Sequence, residues 1–287
     1  MMSLKLIDIH THPQFAAYEV DRSLVMQRAE EASVGQVVVG TQKDTSLRAV
    51  ELAQAYPHTW ATVGLHPIHT TKSYHDKDEI EQPGSAANTE GFVSRGEKFD
   101  FEYYKKIGGD EKVVAIGECG LDYFHLDEKT KLKQMSVFDA QIALANELNK
   151  PLMLHIRQGK GAGGGAAYMD AFHLLHSKAK VKANVHFFAG DIETARKFLS
   201  LEYTLSFTGV ITFTHDYDDV VKYVPLDSMM VETDAPYITP TPYRGKRNES
   251  SYVRLISARV ALIKGLSVAE TEQRLLGNAV RFFGLKF

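Results

Sequence analysis

Apolar, β-branched runs alternate with stretches of helical period along the whole chain. The runs at 4–9, 36–40, 59–64, 113–117, 151–155, 183–187, 203–207 and 229–232 read as strands. Helical patterns follow at 21–33, 44–56, 100–107, 129–149, 167–179, 191–200 and 218–223, with two more at 250–264 and 267–283. Strands that each lead into a helix predict an α/β protein built as a single (β/α)8 barrel of the TIM type, spanning residues 1–287. An open doubly wound sheet has the same alternation, but it favours a glycine-rich phosphate turn after the first strand. Here that turn reads His10-Thr11-His12-Pro13-Gln14.

Two stretches interrupt the rhythm. Residues 69–99 are polar and read as a long loop inserted after the third strand, and the run from Gly159 to Gly165 is too glycine-rich for a stable helix. Both follow strand C-termini, the barrel face where function concentrates. The first is expected to act as a lid or groove wall. The second reads as a flexible linker rather than a phosphate cradle.

Composition narrows the chemistry. A single cysteine, Cys119, excludes an intrachain disulfide and a cysteine-based zinc cluster, and fits a reducing cytoplasm. No run reaches the ~20 apolar residues needed to span a bilayer, and no secretory leader is recognisable, so a soluble protein is expected. With 33 Lys+Arg against 36 Asp+Glu the net charge is −3, so any polyanion must be met by local charge or by metal.

Polar residues gather where the predicted strands end. His10 and His12 follow the first, His66 the third, Glu118 the fourth, His155 and Arg157 the fifth, His186 the sixth, and Glu232 and Asp234 the eighth. Five of the 12 histidines fall at these positions; the others lie in predicted helices or loops and read as surface residues. Neutral imidazole is the commonest protein metal ligand, and convergence of five with carboxylates at one barrel rim predicts a metal site. Four imidazoles (His10, His12, His155, His186) with Glu118 and Asp234 exceed the needs of one catalytic zinc. Two divalent ions sharing a bridging carboxylate would use them all. Zn, Mg and Mn all accept such a donor set.

The chain resembles the TatD family of metal-dependent deoxyribonucleases within the amidohydrolase superfamily. The resemblance is carried by Asp8-Ile9-His10-Thr11-His12, Gly64-Leu65-His66-Pro67, Ile116-Gly117-Glu118-Cys119-Gly120-Leu121-Asp122, His155-Ile156-Arg157, His186-Phe187-Phe188-Ala189-Gly190, Glu232-Thr233-Asp234-Ala235-Pro236-Tyr237 and Gly245-Lys246-Arg247-Asn248-Glu249. It implies that His10, His12 and Asp234 hold one metal with Glu118, which bridges to a second metal held by His155 and His186. It also implies exonuclease or endonuclease activity on DNA. Departures from the family pattern fall at Phe187, where cysteine is frequent, at Ser250, where proline is usual, and in the longer 69–99 loop.

Roles follow from chemistry. Asp234 is the expected base toward the attacking water, with a pure ligand role as its rival; Glu232 is expected to orient a ligand imidazole. Arg157 and Arg247 suit a phosphate, or equally a rim salt bridge. His66 is expected either at the scissile phosphate or as a support for Glu118, and Tyr237 and Phe188 either stack on a base or pack the barrel mouth. The partner expected is DNA, met at strand ends or as single strands because few local cations are available. Hydrolysis of an amide or carboxylic ester, including an ester at a tRNA end, and a non-enzymatic metal-binding role stand as the alternatives.

Overall fold

The apolar runs form a ring of parallel strands in which β1 (Leu6–Thr11), β2 (Val34–Val39), β3 (Thr59–Val63) and β6 (Val113–Asp122) are buried at every position. Covering helices on the outside and packed side chains within leave such strands no solvated face. The computed structural model describes residues 4–75, 92–124, 128–159 and 166–286. The remaining strands of the ring are β7 (Leu152–Arg157), β8 (Ala183–Val185), β9 (Thr204–Phe207) and β10 (Met229–Val231). Neighbours run in the order β1-β2-β3-β6-β7-β8-β9-β10.

Helices α1 (Arg22–Glu31), α2 (Lys43–Ala55), α3 (Phe101–Gly108), α4 (Glu128–Leu148), α5 (Ala167–Lys178), α6 (Ile192–Leu199), α7 (Asp218–Tyr223), α8 (Val253–Lys264) and α9 (Val268–Phe283) alternate with them. α9 packs differently from the others. Its Ala279, Phe282 and Phe283 join Ile7, Ile9, Val37, Val39, Met153 and Met230 in one buried cluster with Leu4, so the last helix closes one end of the ring. The strand C-termini open at the other end.

The ring closes by a seam. β1 and β10 meet through a single bridge at Thr11 and Ala235, flanked by His12 N donating to Ala235 O at 2.8 Å and Asp234 N donating to His10 O at 2.9 Å. Asp8 stands in for the missing ladder. Its buried carboxylate accepts from Thr233 N at 2.9 Å and Thr233 Oγ1 at 2.6 Å.

The polar stretch after β3 differs from a plain loop. A 3-10 turn at Pro67–Thr70 leads into a two-stranded antiparallel ribbon, β4 (Lys72–His75) with β5 (Phe92–Arg95). Strands of four residues without a sustained apolar alternation carry too little pattern to be seen in sequence. The ribbon's base is held by Arg95, whose Nη2 lies 2.6 Å from Asp44 Oδ2 on α2. Residues 76–91 of this insertion, and 160–165 of the glycine run, lie outside the described residues. Among the described residues no helix is long and apolar enough to cross a membrane.

Candidate metal centre

Two irregularities in the ladders aim the first ligands. In β1 the pairing passes from Asp8↔Gln36 to Thr11↔Val38, and in β6 from Ile116↔Leu152 to Cys119↔Leu154, so each strand carries one extra residue against its neighbour. Such bulges redirect side chains at barrel rims. The extra residues fall around His10 and Glu118. In β6 the bulge is permitted by glycine: Gly117 and Gly120 have φ of +146° and +141°, and a Cβ on Gly120 would lie 2.0 Å from His155 O.

Six side chains then converge. His10 Nε2 and His12 Nε2 are 3.2 Å apart, and Asp234 Oδ1 lies 3.7 and 3.4 Å from them. Two nitrogens each 2.0–2.1 Å from a tetrahedral ion stand roughly 3.3 Å apart, so this pair already has the bite of a chelate. Glu118 points its two oxygens in different directions. Oε1 lies 2.9 Å from His155 Nδ1 and 3.0 Å from His186 Nε2, while Oε2 lies 3.3 Å from His10 Nε2. One carboxylate thus faces both groups of imidazoles.

The outer nitrogens fix which lone pairs face inward. His12 Nδ1 lies 2.8 Å from Val39 O, so that nitrogen carries the proton and Nε2 is left as a ligand. His155 Nε2 lies 2.9 Å from Asp122 Oδ2, which leaves Nδ1 to face Glu118. His186 Nδ1 lies 3.2 Å from Glu232 Oε1, an ion-pair contact without hydrogen-bond geometry, and its Nε2 faces inward. Glu232 is held in turn, accepting from Phe187 N at 2.5 Å and Ser206 Oγ at 2.8 Å, and Ser206 Oγ accepts from Asn184 Nδ2 at 2.8 Å. His66 is the exception. Its Nδ1 accepts from Ile68 N at 3.2 Å, so the neutral ring carries its proton on Nε2, 3.3 Å from Glu118 Oε1. That makes His66 a donor into the site rather than a ligand.

Charge follows the same arrangement. Burial opposes the charge on Glu118, but the imidazoles of His66, His186 and His10 outweigh it and hold the carboxyl well below its usual range. Asp234 is likewise lowered, burial being overcome by the His12 hydrogen bond and by His10 and His186. Burial also works against protonation of His186 and His155, yet Glu118 with Glu232 raises the first well above an ordinary histidine, and Asp122 with Glu118 raises the second. Burial, then His155, drives His66 down to about 4. A carboxylate-rich pocket that retains protons on its imidazoles is one that a divalent cation suits, since the cation replaces those protons. His10 Nδ1, buried with no hydrogen-bond partner, fits a ring fixed through its other nitrogen.

The structure therefore brings His10, His12, Glu118, His155, His186 and Asp234 together with His66, and it sets Glu232 behind His186. It does not bring in Arg247, whose Nη2 is 2.5 Å from Asp21 Oδ2 and whose Nη1 donates to Ala17 O at 2.6 Å. Arg157, at the end of β7, lays its guanidinium 4.0 Å over the ring of Phe124. Phe188 is 1% exposed and packs against Tyr168 and Phe207, so it belongs to the core and has no face for a base. Tyr237 is half-buried, its amide donating to Asp234 O at 2.8 Å. Asp122 was legible only as part of a motif. The bulge before it shifts its register, which strand periodicity alone does not reveal.

Comparison with known proteins gives a consistent picture. Residues 7–284 match the family described as TatD related DNase. The uncharacterized metal-dependent hydrolase YabD of Bacillus subtilis is 36% identical over 283 residues, covering 97% of this chain and 98% of that protein. The uncharacterized metal-dependent hydrolase MJ1582 of Methanocaldococcus jannaschii is 28% identical over 284 residues, covering 99% and 98%. Among solved structures, YjjV, a TatD homologue from Escherichia coli, superposes with a TM-score of 0.80 at 27% identity over 99% of this chain and 100% of that one. A TatD-family hydrolase from Entamoeba histolytica shares the fold, with a TM-score of 0.79 at 21% identity over 99% of each chain.

Proposed function

The chain belongs to the TatD family of metal-dependent hydrolases, and on that footing we propose that it hydrolyses phosphodiester bonds in DNA with two divalent ions at the strand ends. The observation that carries the two-ion reading is the bridging posture of Glu118, with Oε1 toward His155 and His186 and Oε2 toward His10. His10, His12 and Asp234 would hold one ion and His155 and His186 the other. Ions so held act as Lewis acids toward the phosphoryl group and bring the pKa of water near 7.

The side chains supply the rest. Asp234, kept ionised beside His10 and His12, accepts the proton of the attacking water at a carboxylate oxygen. His66 offers its Nε2 proton to a phosphate oxygen, a donor whose burial excludes competing water. Asp122 holds His155 in the tautomer the site needs, and Glu232 stands behind His186 as its ion-pair partner. Arg157 stands two residues beyond His155 on the same strand, where its planar guanidinium suits an adjacent phosphate.

The test is an assay of the metal-supplemented protein on single-stranded DNA, duplex DNA, RNA and a small carboxylic ester, repeated with Glu118→Ala. Hydrolysis of DNA that chelation abolishes and a divalent ion restores, and that Glu118→Ala loses while keeping its fold, is the expected result. Turnover of the carboxylic ester alone would replace the phosphodiester reading with the ester one.

A further inference from the structure

The connection from β10 to α8 carries a surface that the hydrolytic site does not use. Between Asp234 and Glu249 the chain has no acidic residue and three cations, Arg244, Lys246 and Arg247, in a protein of net charge −3. The segment leaves the site at Asp234 and returns at Asn248, whose Nδ2 donates to Thr233 O at 2.9 Å and to Tyr237 O at 2.6 Å. It is braced within and outside. Thr239 Oγ1 donates to Lys246 O at 2.5 Å, and Thr241 N donates to Thr212 Oγ1 at 2.9 Å on the connection after β9.

Two stacked pairs are displayed on this frame. The rings of Tyr243 and Tyr252 lie 4.5 Å apart at 16°, and the guanidinium of Arg244 lies 3.8 Å over Phe213. Tyr243 and Phe213 nevertheless remain 36% and 40% exposed. The Lys246 ammonium sits 5.5 Å from the centre of the Tyr243 ring. An exposed ring backed by a second ring, with cations beside it, has the chemistry of a base-stacking platform next to phosphate-binding groups. Asp191, Glu193, Asp216 and Asp219 line an open cleft of the opposite sign that repels phosphate, and Asp216 stands three residues after Phe213 on the same connection. Tyr243 is five residues from Asn248, at most roughly 18 Å of chain, so the platform lies within a few nucleotides of the site.

We propose that residues 241–246, with Phe213 and Tyr252, bind a single-stranded polynucleotide beyond the point of cleavage, Tyr243 stacking on an unpaired base while Arg244 and Lys246 meet the adjoining phosphates. The proposal rests on the phosphodiesterase reading for its substrate. An unpaired base is required because in a duplex both faces of each base are covered by its neighbours. Arg247, committed to Asp21, takes no part.

Tyr243→Ala, Lys246→Ala and the conservative Tyr243→Trp are compared with the parent in two measurements. The first is hydrolysis of a short oligothymidylate and of bis(4-nitrophenyl) phosphate, which carries no nucleobase. The second is binding of labelled oligothymidylate to the Glu118→Ala protein bearing the same substitutions. Expected are a rise of roughly tenfold in KM for the oligonucleotide with Tyr243→Ala, a smaller rise with Lys246→Ala, retention with Tyr243→Trp, and unchanged turnover of the small diester. Binding weakened by Tyr243→Ala, even if neither phosphodiester is cleaved, upholds this surface and removes the proposed chemistry instead. Cleavage of the oligonucleotide with KM and binding unchanged in Tyr243→Ala, equal losses on both substrates, or no binding of the oligonucleotide at all would overturn the proposal.

Discussion

Gln141 grips the backbone of Leu65 from both sides, its Oε1 accepting from Leu65 N at 2.8 Å and its Nε2 donating to Leu65 O at 2.9 Å. Gln134, two turns earlier on α4, does the same for Asp122, with 2.8 Å to the amide and 3.0 Å to the carbonyl. Leu65 precedes His66, and Asp122 holds His155. One face of one helix therefore fixes the heights of two neighbouring strand ends at the metal centre.

Gln141→Leu should leave a buried amide and carbonyl of Leu65 unpaired. The expected loss is about 2–4 kcal/mol of stability, and His66 should lose its position. Urea unfolding of the metal-loaded variant measures the first. The second shows as a drop in kcat larger than that of an equally destabilised variant elsewhere in the barrel.

Asp122→Asn removes the charge that keeps the proton on His155 Nε2. The amide can present a donor to that nitrogen, which moves the ring proton to Nδ1 and leaves no lone pair there for a metal. Metal affinity is expected to fall roughly 10–100-fold, with the fold retained. Competition with a chromophoric chelator checks this, and unchanged affinity would show that Asp122 only packs.

Stripping the metal should make the protein's behaviour pH-dependent in opposite senses. His155 and His186 are raised by their carboxylates, so in the metal-free state the stability they contribute is present at low pH and lost as pH rises through their elevated values. Metal needs those rings neutral, so affinity should instead fall as pH drops through the same window and uptake should release protons. Urea unfolding of the chelated protein at pH 6 and pH 8 reads the first effect, and titration with a divalent ion at the same two values, in two buffers of different ionisation enthalpy, reads the second.

Much of this was legible beforehand because the ligands terminate strong apolar strands, and a barrel gathers strand ends whatever their separation in sequence. His10, His66, Glu118, His186 and Asp234 were visible for that reason. Gln134, Gln141 and Asn184 were not: a buried amide on a helix or in a three-residue strand leaves no periodic signature, and its value depends on which backbone it meets. Asp8 entered only as part of a motif, and its service to Thr233 needs the closure of the ring. The ribbon β4–β5 was hidden by its brevity.

Arg247→Ala should act on stability rather than on catalysis, since its guanidinium is spent on Asp21 and Ala17 and lies 4.4 Å over Tyr18. Both partners of the ion pair are about 30% exposed, so the expected cost is about 0.5–1 kcal/mol. Thermal unfolding alongside oligonucleotide KM separates the two. A large rise in KM with unchanged stability would return Arg247 to the substrate.

The seam between β1 and β10 makes the ion more than a reagent. An ion gripped by His10 and His12 on one edge and Asp234 on the other would clasp the two ends of the sheet where the backbone offers one bridge. With the clasp removed, the seam rests on that bridge, its two flanking backbone hydrogen bonds and Asp8, and fraying there would bare sheet edges, which are templates for another chain. Chelated protein is therefore expected to self-associate before its helices melt, so the same ions that set turnover also guard against aggregation.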